Sequence, residues 1–421
     1  MDRLFSLYGQ VIGACVLAAV VTYVLSLAVA RVSRRVGLLD QPEPRRVHRR
    51  PVPRLGGIAI FISFAAVSLL AYRPANDYEA HVYAGLLAAG LLTVAVMVVD
   101  DVRGLPPLVR LGAQTVIALV AMFPAGHGTL IEALHNPLIA DHQSRTFLPL
   151  WLAIPFTWFW IVGMMNTINW VDGLDGLAGG VVTITALVMA AISWLLGQHT
   201  TALLCAVLAC ATLGFLPLNW HPARLFMGDS GAMFLGLALA VLANVGGAKL
   251  ATMLMLLGLP ILDAARVIVR RVRQGRSPLR FDRSHLHHRL LIGGLSQRQI
   301  ALLFYLVTAS FGGITILAAA LQSHTGAWRL RSQALPWLDI TASELPTLLG
   351  LTLVLVVTAA IWRVAAIRRR RSGLPPGASS AGWSTPTARP LPDSLPHSAT
   401  GEATTRPLAS PSASGTRPRS P

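Results

Sequence analysis

The chain has 421 residues, 54% of them hydrophobic and only 13% charged. A soluble domain carries about 25% charged residues, so this composition excludes an ordinary water-soluble globule and points to a bilayer solvent. The formal net charge is +17, but the arginines crowd into a few short stretches between long apolar runs, a distribution that excludes nucleic acid as the partner.

Eleven apolar segments follow in chain order, near 8–30, 55–72, 82–99, 108–123, 150–168, 177–196, 201–218, 231–247, 250–269, 299–321 and 346–367. Each comes close to the roughly 20 residues that a helical span needs. Helices also satisfy their own backbone polar groups in lipid, so the chain reads as an all-α polytopic membrane protein with about 11 transmembrane helices. Ala28-Val29-Ala30 looks like a signal cleavage site, but the run before it is span-length and its basic flank follows it. We therefore read the first segment as a retained helix. Cys15, Cys205 and Cys210 sit inside apolar runs without ligand-like spacing and read as packing residues.

Cations set the orientation. Arg31 to Arg54, Arg270 to Arg298 and Arg368 to Arg371 form three basic stretches, after the first, ninth and eleventh segments. Eleven spans put all three on one side, which the positive-inside tendency makes cytoplasmic. The N terminus is then outside and the C terminus cytoplasmic. The loop 124–149 is external and polar enough to leave the membrane. Residues 1–371 form the membrane domain. Residues 372–421 are rich in Pro, Ser, Ala and Thr and read as a disordered tail.

The acids are few and grouped. Asp100 and Asp101 end the third segment, and adjacent carboxylates tend to keep a proton or bind a cation. Asn166, Asn169 and Asp172, three apart, share a helix face before Gly173, Asp175 and Gly176, and oxygen ligands of this kind suit a hard cation. Asp229 stands among small residues in Phe226-Met227-Gly228-Asp229-Ser230-Gly231, at a helix start that favours phosphate; simple N-capping is the plainer alternative. Asp282, Arg283, His285, His287, His288 and Arg289 could hold phosphate oxygens or shuttle protons, with zinc as a competing chemistry. Under the topology above every one of these groups lies on the cytoplasmic face.

Five pieces stand in a characteristic order: HRRPVPRLGG from His48 to Gly57, Asp100-Asp101, NTINWVDGLDG from Asn166, Asn219 with FMGDSG, and DRSHLHHRL from Asp282. Together they make residues 35–295 resemble the polyprenyl-phosphate N-acetylhexosamine-1-phosphate transferases, the WecA, TagO and MraY type. The resemblance implies transfer of N-acetylglucosamine 1-phosphate from UDP-GlcNAc to undecaprenyl or another polyprenyl phosphate, releasing UMP, in the inner (cytoplasmic) membrane. It implies Mg2+, with Mn2+ as a substitute, held by Asp229 with Asp172. It implies catalytic roles for Asp100, Asp101, Asp172, His285, His287 and His288. Asp100 would accept a proton from the lipid phosphate or orient it.

The same resemblance implies that His48, Arg49, Asn166, Asn169, Asp175, Asn219, Phe226 and Arg283 line the substrate, with Phe226 stacking on the base. Arg46 stands where the family often has Lys. The His-Leu-His-His form is similar to the UDP-GlcNAc enzymes rather than to the MraY type, which uses a muramoyl-pentapeptide donor. Another UDP-N-acetylhexosamine, a covalent aspartyl route and a homodimer stay open. A transporter is the alternative from another class, but the polar groups line one interface, not the bilayer midplane, and no internal repeat is visible.

Overall fold

The computed structural model describes residues 2–41, 50–124, 129–135, 145–245, 250–275, 285–324, 329–331, 339–341 and 345–371. Its helices are α1 (Asp2–Arg35), α2 (Gly56–Ala71), α3 (Asp77–Arg103), α4 (Pro107–Met122), α5 (Leu150–Val171), α6 (Leu177–Leu195) and α7 (His199–Asn219). They continue as α8 (Gly228–Asn244), α9 (Leu250–Leu256), α10 (Gly258–Arg273), α11 (Leu286–Ile292), α12 (Gln297–His324) and α13 (Leu345–Arg371). Three short antiparallel pairs join β1 (Leu39–Asp40) to β2 (Val52–Pro53), β3 (Ala133–His135) to β4 (Arg145–Phe147) and β5 (Arg329–Arg331) to β6 (Asp339–Thr341). These hairpins depart slightly from the all-α expectation. Connecting segments must still pair their backbone groups, and a hairpin does so locally.

Every expected apolar segment is helical, the ninth as the pair α9 and α10. Seven helices are long and apolar enough to cross a membrane, or eight if α9 and α10, bent by 81°, form one broken span. The remaining three, α2, α4 and α8, have 16, 16 and 17 residues. Length alone therefore carries a multi-pass membrane protein of seven or eight spans. α11, a short helix of 7 residues in the histidine segment, was not among the expected elements.

The surface of α1 shows what surrounds the bundle. Ile12, Val16, Val20 and Val24 recur every fourth residue, and all are more than half exposed. Such a continuous apolar stripe is a liability in water and ordinary against lipid. The interior is the reverse. α8 is the axis of the fold: every side chain from Ser230 to Ala243 is buried, and the helix packs against α2, α3 and α5. Phe234 meets Phe61 of α2 edge-on, with ring centroids 5.1 Å apart.

Between helices in lipid the hydrophobic effect supplies little drive, so close approach of small residues does more of the work. The first turns of α2 and α8 touch in this way: a Cβ on Gly57 would lie 2.1 Å from the backbone nitrogen of Gly231. The contact is fastened by main-chain bonds, Gly56 N–H to the Phe226 carbonyl at 3.0 Å and Gly57 N–H to the Met227 carbonyl at 2.8 Å. Two of the ordered sequence pieces, PRLGG and FMGDSG, are thus one structural unit.

Candidate active site

α3 stops at Gly104, which takes a positive φ of 69°, and α4 restarts on Pro107 at its first turn. This reversal brings Arg110 back over the end of α3. Its Nη2 lies 2.7 Å from Asp100 Oδ2 and 3.2 Å from Asp229 Oδ2. Asp100 Oδ1 also accepts the Leu105 N–H at 2.6 Å.

Asp101 does something different. Its Oδ1 accepts the backbone N–H of Asp229 at 2.8 Å and its Oδ2 that of Ser230 at 3.1 Å. A helix start leaves its first N–H groups without partners, and the residue at the N-cap of α8, Met227, makes no side-chain cap. Asp101 caps α8 from another helix. Gly228, at φ +75°, allows it, since a Cβ there would stand 2.6 Å from Asp101 Oδ2. The simple alternative of N-capping by Asp229 is thereby corrected: the cap is Asp101, and the Asp229 carboxylate is left for other work. The Asp100 and Asp101 side chains are 0% exposed and that of Asp229 is 19% exposed, so among these three only the Asp229 side chain is accessible. Arg54 approaches from the opposite side, 3.9 Å from Asp101 and 3.6 Å from Asp40.

α5 delivers the next groups. Asn169 Nδ2 donates to Asp229 Oδ1 at 2.8 Å. Asn166, one turn deeper, instead exchanges bonds with Gln114 of α4, at 3.0 and 3.2 Å. Asp172 closes α5 as its C-cap. Burial, and then the negative charges of Asp229 and Asp101, push its carboxyl well above the ordinary carboxylate range. Burial is the larger cause, and Arg54 offsets it only in part; a divalent cation between Asp172 and Asp229 would lower the cost of charging this carboxyl.

Among the described residues no three His, Cys, Asp or Glu side chains converge to hold a metal ion. Zinc, the competing chemistry, draws on a segment whose Asp282 lies outside those residues. Mg2+ is commonly bound by one or two carboxylates with substrate phosphates and water, and Asp172 and Asp229 offer carboxylates of that kind.

Asn219 and Asp175 act as ties. Asn219 is 2% exposed; it accepts the Gly176 N–H at 3.1 Å and donates to the Leu225 carbonyl at 3.1 Å. Asp175 Oδ2 meets His221 Nδ1 at 2.7 Å and accepts the Ala223 N–H at 3.1 Å. Arg298, at the start of α12, donates to the His221 carbonyl at 2.9 Å. The loops after α5 and α7 are thereby locked to each other, and Phe226 is carried on the second of them, partly exposed.

The histidines come in from α11. His285 Nδ1 lies 2.9 Å from Asp263 Oδ2 on α10. Its ring stacks on that of His287 at 5.9 Å, with an interplanar angle of 7°. His287 is buried against the loop after α5: a Cβ on Gly173 would stand 2.5 Å from its Nε2. Burial, with His288 and His285 as neighbours, holds the His287 imidazole well below its ordinary range, so it is neutral at physiological pH. His288 packs on His287, with ring centroids 4.3 Å apart.

The structure thus gathers Asp101, Asn169 and, through Arg110, Asp100 around Asp229, whose charge also acts on Asp172, and it sets His287 against the loop that follows Asp172. It pairs Asn166 with Gln114 of α4. His48, Arg49 and Arg283 lie outside the described residues. Arg110 and Asp263 were not singled out from the sequence. Each carries a signal in retrospect: Arg110 is the sole ionisable residue of α4, and Asp263 is the sole acid of α10. An isolated charge in an apolar helix, as Arg110 is, is usually functional.

A multi-pass helical bundle that gathers carboxylates, arginine and histidine where its helices end defines a membrane protein with a polar site suited to phosphate chemistry. Comparison with known proteins makes the class definite. The family model described as "Glycosyl transferase family 4" matches residues 83–247. The chain is 32% identical over 322 residues to the "Probable undecaprenyl-phosphate N-acetylglucosaminyl 1-phosphate transferase" of Bacillus subtilis, covering 75% of this chain and 86% of that protein. It is 37% identical over 324 residues to the "Decaprenyl-phosphate N-acetylglucosaminephosphotransferase" of Mycolicibacterium smegmatis, covering 69% and 77%. It is 27% identical over 303 residues to the "Undecaprenyl-phosphate alpha-N-acetylglucosaminyl 1-phosphate transferase" of Escherichia coli K12, covering 68% and 78%. The chain belongs to glycosyl transferase family 4.

Proposed function

We propose that this protein transfers N-acetylglucosamine 1-phosphate from UDP-GlcNAc to a polyprenyl phosphate such as undecaprenyl phosphate, releasing UMP. The observation that carries this reading is the Asp100–Arg110–Asp229 bridge, capped by Asp101 and flanked by Asn169. An oxygen of the lipid phosphate attacks the β-phosphorus of the donor. The bond from that phosphorus to the bridging oxygen breaks, and the oxygen leaves on UMP. Such a transfer needs little beyond positioning and charge neutralisation.

Asp229 and Asp172 would hold Mg2+, which when bound neutralises the donor diphosphate and polarises its β-phosphorus. Arg110, held between two carboxylates, is placed to meet phosphate oxygens as they arrive. Asp100 fixes Arg110 from behind. Because the side chains of Asp100 and Asp101 are fully enclosed, direct attack by the lipid phosphate is favoured over a covalent aspartyl intermediate.

The same reading takes all eleven helical segments as spans in the inner membrane, with the N terminus outside and the site facing the cytoplasm. Contacts support it. The ends of α3, α5 and α7 meet the starts of α2, α4, α6, α8 and α12, as strict alternation requires. The short α2, α4 and α8 would cross where neighbouring helices thicken the protein around them.

Membranes carrying the protein should convert UDP-GlcNAc, and not UDP-muramoyl-pentapeptide, to a polyprenyl-linked product in a Mg2+-dependent manner. Preference for the muramoyl donor would overturn the substrate assignment. A phosphosugar adduct on Asp100 or Asp101, trapped without lipid acceptor, would overturn direct attack.

A further inference from the structure

Asp263 lies outside the Asp100–Asp229 cluster, on the first turns of α10, and is buried at 5% exposure. A lone carboxylate in such a place is costly unless something holds it. Its Oδ2 faces two groups at once, the His285 Nδ1 at 2.9 Å and the Leu286 N–H at 2.9 Å. The second bond is to the backbone of α11, whose N-cap is His285 itself. One carboxylate oxygen thus fixes both the start of α11 and the ring that begins it. Among the described residues, His285 meets Asp263 from α10, the His287 ring from α11, with His288 behind it, and the Trp170 ring from α5 at 5.7 Å.

We infer that Asp263 is a positioning residue for the transfer reaction: it fixes His285 as the Nδ1–H tautomer, leaving Nε2 on the opposite edge of the ring to meet a phosphate oxygen or its proton. The inference rests on the phosphosugar-transfer reading above. A carboxylate accepting from Nδ1–H settles which imidazole nitrogen carries the proton and stops the ring from turning. The His285 ring also lies parallel to that of His287, which is lodged against Gly173, next to Asp172. Asp263 acts through His285 and touches no substrate.

The test is a double-mutant cycle with a spectroscopic arm. Asp263→Ala should lower kcat at least about tenfold, the scale for losing a group that orients an imidazole, with the donor KM within about twofold of wild type. In a His285→Ala background the same substitution should add less than about twofold, because the residue it works through is gone. Asp263→Asn keeps an oxygen for the Leu286 N–H and should retain more activity than Ala; it carries the test if the Ala variant does not fold. With 15N-labelled histidine in detergent, the His285 signals, identified by their loss in His285→Ala, should report Nδ1–H in wild type and a mixture of tautomers in Asp263→Ala. Equal losses with and without His285, or unchanged 15N signals in Asp263→Ala, would overturn the proposal. The 15N arm needs no turnover, so wild-type protein that showed the tautomer but transferred no phosphosugar would count against the functional reading and not against this one.

Discussion

The carboxylate of Asp101 receives the backbone N–H of Asp229 at 2.8 Å, across a gap of 128 residues. Its neighbour Asp100 turns the other way, to Arg110. Two adjacent aspartates that look equivalent in the sequence are thus divided between holding the helix that carries Asp229 and holding the arginine that faces it. Asp101→Ala should remove the cap of α8 and destabilise the protein by about 1–2 kcal/mol, the usual cost of losing a helix cap. Thermal unfolding in detergent measures it. Asp100→Ala leaves that cap intact and releases Arg110 instead, so in a double-mutant cycle it should couple to Arg110→Ala by at least about 0.5 kcal/mol while Asp101→Ala should not. Coupling of Asp101 to Arg110 as strong as that of Asp100 would contradict the division.

Asp172 should trade stability against activity. Its folded-state pKa lies above the unfolded value, so the carboxyl begins to oppose folding as pH rises past about 4, and the penalty stops growing once pH passes the folded value. In metal-free protein, Asp172→Asn should match wild type near pH 4 and be the more stable of the two at neutral pH. Added Mg2+ should narrow the difference. The same variant should lose at least about 100-fold in transfer rate, as expected for removal of charge-organising machinery from a reaction centre. A variant that is less stable than wild type at neutral pH without metal would remove the electrostatic argument for a cation site.

Asn219 ties the loop after α5 to the loop after α7 through two bonds within the protein. Asn219→Ala leaves the Gly176 N–H and the Leu225 carbonyl without these partners, at a cost of about 2 kcal/mol. Because Phe226 travels on the second loop, the donor KM should rise more than kcat falls. A fall in kcat alone would mean that Asn219 itself meets the reacting groups.

Gly57→Ala tests the weld between α2 and α8. Its Cβ would meet backbone, which cannot swing aside as a flexible side chain can. Overpacking of this kind costs about 1–3 kcal/mol or more. Wild-type melting behaviour in this variant would show that the two helix starts are more loosely joined than described.

The helices were legible because lipid imposes long apolar runs, and all eleven segments read from the sequence are helical. Their number as crossings was less so: α2, α4 and α8 owe their place to neighbours, and the short length of α8 is invisible as a problem until it is seen buried on every side. Two of the ordered motifs lie together, since Asn169 meets Asp229. What the sequence concealed was the division of labour within each motif. Asn166 shares a helix face with Asn169, yet it lies one turn deeper, where Gln114 claims it. Asp175 is engaged by His221 and Ala223, and Asn219 by Gly176 and Leu225. Arg110 and Asp263 belong to no motif and gain meaning only when distant helices converge on them.

The most direct test uses UDP-GlcNAc labelled with 32P at the β-phosphorus, given to purified protein with undecaprenyl phosphate and Mg2+. Label should move to the lipid in one-to-one ratio with unlabelled UMP, and Asp229→Asn should abolish the transfer. Release of labelled UDP with an unlabelled glycolipid would mean that the sugar moves without its phosphate, and would contradict the account.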